Sequence, residues 1–193
     1  MKRVFIIHGW GGYPEEGWLP WLKKELENKG FKVFVPEMPN TDEPKIETWV
    51  NFLSKLVKTA DKDTYFVGHS VGCQTILRYL EKINLKVGGA ILVAPWMHLD
   101  EKTIEEEGEE VKEIAKPWME ISINFNKVKN NCNKFVCIFS NDDCYVPISD
   151  SKIFKKELDA EIIVENKKGH FTEDDGIKEL QIALYKLLEI SKS

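Results

Sequence analysis

Short, unbroken apolar runs alternate along this chain with longer stretches in which apolar residues recur every three or four positions. Val4-Phe5-Ile6-Ile7 is stopped at once by Gly9, Gly11 and Gly12, the pattern of a short buried strand. Trp18, Leu19, Trp21, Leu22 and Leu26 then fall at helical spacing, and Asn28-Lys29-Gly30 ends that helix. A second strand is predicted over 31–35, closed by Pro36. Ile46, Trp49, Val50, Leu53, Leu56 and Val57 follow as the apolar stripe of an amphipathic helix. Further strands are predicted over 64–67, 89–94, 135–139 and 161–164. Helices are expected from Val71 to about Leu80, from about Ser149, and along Ile177, Leu180, Leu184, Leu187 and Leu188.

Strands that alternate with helices of this length require right-handed crossovers, hence a parallel sheet covered on both faces: a three-layer α/β/α sandwich. Binding sites in such sheets form beyond the carboxyl ends of the strands. One stretch breaks the rhythm. Between Ala94 and Asn133 the pattern predicts no long helix, only the run Asp100 to Glu113 with eight acidic residues, then Pro117-Trp118-Met119. The acidic run is expected to be a solvated helix face or loop. A sharper expectation makes 96–130 a small lid or irregular insertion, with Trp96, Met97, Trp118 and Phe125 as an apolar wall.

The third strand leads into Gly68-His69-Ser70-Val71-Gly72 and then a helix, the setting of a G-x-S-x-G nucleophile elbow. Small residues two places either side of the serine let the chain turn sharply among close neighbours. The turn would lift the Ser70 hydroxyl above the sheet edge and aim the Val71 N–H, at a helix N-terminus, toward developing negative charge.

Composition narrows the class. The 193 residues are long enough for one domain with a substantial core, and 42% hydrophobic with 31% charged residues is usual for a soluble globular protein. The net charge of −5, with no basic patch, lacks the footprint of nucleic-acid binding. No apolar run approaches the length of a signal-peptide core or a membrane helix. Cys73, Cys132, Cys137 and Cys144 form no C-x-x-C pair and no metal spacing, so they are expected to be reduced thiols in a cytoplasmic protein.

A serine hydroxyl needs a base, and the base needs orienting. His8 lies in the first strand-end loop, His69 inside the elbow, and His98 after the fourth strand. His170, in Lys168-Gly169-His170-Phe171, directly follows the last strand and completes the Ser…Asp…His chain order, which makes it the expected base with His98 in reserve. The acid is expected in Ser140-Asn141-Asp142-Asp143-Cys144-Tyr145-Val146-Pro147, where spacing does not separate Asp142 from Asp143. His8-Gly9-Trp10-Gly11-Gly12 has the form of an oxyanion loop, its donor by position being the N–H of Trp10. It lacks the Lys-Ser/Thr of a P-loop and the full dinucleotide fingerprint.

With these residues in place the chain resembles the small α/β-hydrolases related to retinoblastoma-binding protein nine, the YdeN type. The likeness runs over essentially the whole chain and rests on His8-Gly9-Trp10, Gly68 to Gly72, Asp143 to Pro147 and Gly169-His170-Phe171. It implies a compact α/β-hydrolase fold with a six-stranded parallel sheet in the order 2-1-3-4-5-6. It also selects Asp143, because the family's acid heads a D-x-x-hydrophobic-P segment; Cys144 stands where a proline is common. The retinoblastoma-binding attribute is not expected to transfer, as the chain contains no L-x-C-x-E segment.

The expected function is therefore a serine hydrolase acting on an ester, thioester or amide of a small acyl substrate. Ser70, His170 and Asp143 would carry catalysis, with the Trp10 and Val71 N–H groups as oxyanion hole, and no metal or cofactor. The alternatives are a non-catalytic binding or scaffold protein on the same fold and an acyltransferase using the same residues. The tryptophans near the loops point to an apolar or aromatic acyl group, although Trp18 and Trp21 are better explained as core residues of the first helix. The acidic balance disfavours highly anionic substrates.

Overall fold

A computed structural model describes residues 1–192 as a six-stranded parallel sheet in the order β2-β1-β3-β4-β5-β6. Its strands are β1 (Arg3–Ile7), β2 (Lys32–Phe34), β3 (Thr64–His69), β4 (Gly89–Val93), β5 (Phe135–Ser140) and β6 (Glu161–Glu165). The helices are α1 (Leu19–Asn28), α2 (Ile46–Val57), α3 (Val71–Lys82), α4 (Glu101–Glu107), α5 (Glu109–Glu120), α6 (Phe125–Asn131), α7 (Ser151–Leu158) and α8 (Gln181–Ser191). The chain winds outward through α1 from β1 to β2, then back through α2 to β3 and onward to β6. Right-handed crossovers therefore put α1 on one face, where it packs with α8, and α2, α3, α6 and α7 on the other. The winding reverses at β1 and β3, and the crevice above their carboxyl ends is where a site is expected.

The continuous apolar strands are the central ones. Every residue of β3, β4 and β5 is buried, whereas edge strand β6 has no fully buried residue and leaves Val164 exposed. The amphipathic stripe of α2 lands as predicted, burying Trp49, Val50, Leu53 and Val57. Helix α1 starts one residue later than the spacing implied: Trp18 is its buried N-cap and Trp21 is half-buried. Helix α8 begins only at Gln181, because Thr172 to Gly176 is a turn in which Asp175 accepts from the Thr172 N–H and hydroxyl, at 2.9 and 2.7 Å.

The stretch after β4 corrects the sequence reading. It holds three helices, one of them the 12-residue α5. Asp100 caps α4 by accepting from the Thr103 N–H at 3.0 Å. Helix α5 buries little besides Ala115 and Trp118, and so many exposed glutamates obscured its period. Its C-terminal end is held by a buried cation. The Arg78 guanidinium donates to the Trp118 carbonyl at 3.0 Å and the Ile121 carbonyl at 2.7 Å, where the helix dipole favours positive charge. Gln74, one turn earlier on α3, accepts from Arg78 and donates to the carbonyls of Trp96 and Trp118, each at 3.1 Å. Helix α3 is thereby stitched to α5 and to the chain just after β4.

Candidate active site

Strand β3 delivers Ser70 onto a backbone with φ 51° and ψ −120°, in the left-handed region that a non-glycine residue enters only when its surroundings force it. The Ser70 N–H donates to the Val93 carbonyl at 2.9 Å, and its own carbonyl accepts from Cys73 at 2.9 Å, which locks the turn. Gly72 is required by close approach: a Cβ there would lie 2.4 Å from the Ile7 carbonyl oxygen and 2.6 Å from that of His8. The backbone at the end of β1 leaves it no room.

Above this turn the structure brings together Ser70, His170 and Asp143. Ser70 Oγ lies 2.9 Å from His170 Nε2, and His170 Nδ1 lies 2.9 and 3.1 Å from the two carboxylate oxygens of Asp143. Asp143 Oδ1 also accepts from the backbone N–H groups of Tyr145 (2.9 Å) and Val146 (3.0 Å), so the carboxylate is held from both sides. Asp142, its neighbour, faces elsewhere. It accepts from the Ser140 hydroxyl at 2.7 Å and the Gly169 N–H at 3.0 Å, tying the β5–α7 loop to the turn that carries His170; these bonds, the Ser140 hydroxyl first, hold its carboxyl below the usual range. That turn needs glycine, since Gly169 has φ +52° and a Cβ on it would run into the Asp175 carboxylate. Trp18 Nε1 fastens the far side of the turn by donating to the Phe171 carbonyl at 3.0 Å.

The remaining histidines have other duties. His98 donates from Nδ1 to the buried Asp150 at 2.8 Å, and Asp150 also accepts from the Met97 and His98 N–H groups at 2.6 and 2.8 Å. The reserve candidate for the base is thus committed to Asp150. In His8, Nε2 accepts from the Met38 N–H at 3.0 Å, which places the proton on Nδ1, donated to the Gly9 carbonyl at 2.9 Å. That ring holds the Gly9–Trp10 peptide by its oxygen. Among the described residues the Trp10 N–H on the other edge of the peptide has no protein acceptor, while the Trp10 indole is anchored to the Asp42 carbonyl at 2.9 Å. A Cβ on Gly9 would come within 3.5 Å of the Ser70 Cβ, so this loop lies directly against the elbow. The Val71 N–H, first in α3, has no intrahelical acceptor.

His69, inside the elbow, is a buried brace. Its Nε2–H donates to the His170 carbonyl at 2.8 Å, and its ring packs edge-on to Trp18. Burial, followed by the nearby His170, holds its pKa down to about 3, well under the ordinary 6.5. The unfolded ring takes a proton near 6.5 and the folded ring only near 3, so unfolding consumes a proton between these values. Stability from neutral His69 is therefore complete above the upper value and is lost as pH falls toward the lower; burial shifts His8 in the same direction. Urea unfolding at pH 7.5 and 5 is expected to show a lower free energy at the acid value, with a shallower dependence in a His69→Gln variant.

A cavity of about 290 Å³ opens on Ser70 and His170, lined also by Trp10, Glu16, Trp96 and Ile104 and by further residues that include Leu99, Glu107, Val111 and Tyr145. Of the four side chains expected to form an apolar wall, Trp96 alone lines it. Trp118 is core, packed edge-on to Trp49 and donating to the Pro44 carbonyl at 2.9 Å. Helices α4 and α5 contribute Ile104, Glu107 and Val111 instead, which sequence reasoning passed over inside the acidic run. Among the described residues no group of His, Cys, Asp and Glu is arranged to hold a metal ion, and no helix is long and apolar enough to cross a membrane.

Comparison with known proteins shows the family and the fold. The chain is 34% identical over 183 residues to the YdeN protein of Bacillus subtilis, covering 94% of this chain and 92% of that one. It is 27% identical over 173 residues to the serine hydrolase RBBP9 of Rattus norvegicus, covering 88% and 87%. The crystal structure of the ydeN gene product superimposes over 100% of both chains with a TM-score of 0.89 at 33% identity. The family profile described as serine hydrolase matches residues 4–189, and the chain belongs to that family, on an α/β-hydrolase fold.

Proposed function

We propose that the protein hydrolyses an ester, thioester or amide of a small acyl substrate through a covalent acyl-Ser70 intermediate. The observation that carries this reading is the unbroken hydrogen-bonded chain from Ser70 through His170 to Asp143, opening on a largely apolar cavity. With its Nδ1–H on Asp143, His170 presents a bare Nε2 to the serine hydroxyl. It takes that proton as Oγ attacks the carbonyl carbon, and Asp143 stabilises the imidazolium. The carbonyl oxygen, now negative, rests on the Trp10 and Val71 N–H groups. Collapse of the tetrahedral adduct breaks the bond to the leaving group, which receives the proton from His170. Water then enters, gives its proton to His170, and releases the acid from Ser70 by the same steps in reverse. The chemistry needs no cofactor. The free cysteines, three of them buried, suit a reducing compartment, and we place the protein in the cytoplasm.

The cavity is at the small end of ligand sites. Hydrolysis of p-nitrophenyl esters from acetate to octanoate is therefore expected to peak at short to medium chains. A fluorophosphonate probe is expected to label the wild type at Ser70. Failure of both turnover and labelling would favour a binding protein on this fold, and product formed only with an added alcohol or amine would make the enzyme an acyltransferase.

A further inference from the structure

The lining of the catalytic cavity is charged in one sense only. It includes the carboxylates of Glu16 and Glu107 and the aromatic rings of Trp10, Trp96 and Tyr145, with neither lysine nor arginine. Glu16 comes from the β1–α1 connection and folds back over the oxyanion turn, its Oε2 lying 2.5 Å from where a Gly12 Cβ would sit. Glu107, at the end of α4, accepts from the Tyr145 hydroxyl at 2.9 Å, and the Tyr145 ring lies 5.1 Å from that of His170.

Neither carboxylate has a cationic partner within ion-pair distance among the described residues. The lysines flanking Glu107 are engaged elsewhere, Lys102 with Glu106 at 3.6 Å and Lys112 with Glu109 at 3.9 Å. Glu16 is half-buried, and desolvation pushes its carboxyl above the usual range. The nearby Glu173 and Asp174 push the same way, against a Tyr13 backbone hydrogen bond and His170. A half-buried charge among like charges is costly until a cation joins it. Carboxylates beside aromatic rings, in a cavity without lysine or arginine, form a receptor for ammonium, which gains from both the charges and the ring faces.

Resting on the acyl-transfer reading, we infer that this cavity selects substrates carrying a protonated amine, with Glu16 and Glu107 as the counter-charges. The amine can belong to the acyl part or to the leaving group, and two matched pairs of substrates separate these. For the acyl part the pair is p-nitrophenyl 3-aminopropanoate against p-nitrophenyl butanoate. For the leaving group it is S-2-(dimethylamino)ethyl thioacetate against S-3-methylbutyl thioacetate. In each pair the shape is nearly the same and the charge differs.

After correction for spontaneous hydrolysis, kcat/KM in at least one pair is expected to favour the cation by about tenfold at low salt. That ratio should fall toward one in Glu16→Gln or Glu107→Gln, and should shrink as salt is added. A ratio of one or less in both pairs, with the neutral esters turned over, would overturn this inference and leave the hydrolase reading standing. Should no ester be turned over, the labelling rates of Ser70 by an ammonium-bearing p-nitrophenyl phosphonate and its neutral counterpart decide in the same way. Labelling by neither would overturn both readings.

Discussion

Replacing Ser70 by alanine is expected to lower kcat by roughly 10⁴- to 10⁶-fold and to abolish fluorophosphonate labelling, while the fold and its unfolding midpoint stay close to wild type. The size follows from what is lost. Without Oγ there is no acyl-enzyme, and His170 keeps a lone pair with nothing to activate but water. On the proposed mechanism, what survives is binding and oxyanion stabilisation by the Trp10 and Val71 N–H groups, which in Ser-His-Asp enzymes leaves a residual acceleration of about 10³ to 10⁴ over water. The loss corresponds to about 5 to 8 kcal/mol of transition-state stabilisation. Alanine adopts the φ of 51° no less readily than serine does, and the bonds that lock the turn run through the backbone of residue 70. Circular dichroism beside the kinetics separates lost chemistry from lost structure. Turnover within tenfold of wild type would remove Ser70 from the nucleophile's role.

The parts legible in the sequence were those fixed by short-range physics. Unbroken apolar runs such as Phe66-Val67 and Ile91-Leu92-Val93 are strands because a parallel strand is buried on both faces. The elbow was legible because its serine and glycines stand together in the sequence, with Gly68 demanded by the Cys73 backbone five residues on, although what demands Gly72 lies on the adjoining strand. Strand order followed from the family likeness, since periodicity carries no information about which strands are neighbours. Helix α5 was obscured because its anchorage is remote: Trp118 packs on Trp49, and Arg78 caps its last carbonyls from another helix. Distance along the chain hid the braces of the site in the same way. Asp150 gathers the Met97 and His98 amides across more than fifty residues, and His69 holds the His170 carbonyl across 101. Their residue types are ordinary, and only the fold gives them partners.

Adjacent aspartates of identical chemistry allow a sharper comparison than removal of the nucleophile. Asp143→Asn is expected to lower kcat by about 10⁴-fold, and Asp142→Asn by far less. In wild type both Asp143 oxygens face His170 Nδ1, and one is also held by the Tyr145 and Val146 N–H groups. An asparagine there would keep its carbonyl oxygen on those amides and turn its NH₂ toward the ring. A donor facing Nδ1 drives the imidazole proton to Nε2, which then points a hydrogen at Ser70 Oγ and cannot take one. The imidazolium formed in the transition state also loses its counter-charge. Asp142 accepts from the Ser140 hydroxyl and the Gly169 N–H, both donors that an amide oxygen still satisfies, so its variant keeps the turn that presents His170. Measured kcat for both variants, with the pH dependence of the Asp143→Asn enzyme, checks the assignment. Recovery of Asp143→Asn activity at high pH, where hydroxide relieves the need for a base, is the expected signature of a misplaced proton. Equal losses in the two variants would mean that the pair acts through loop structure, and the acid would have to be sought elsewhere.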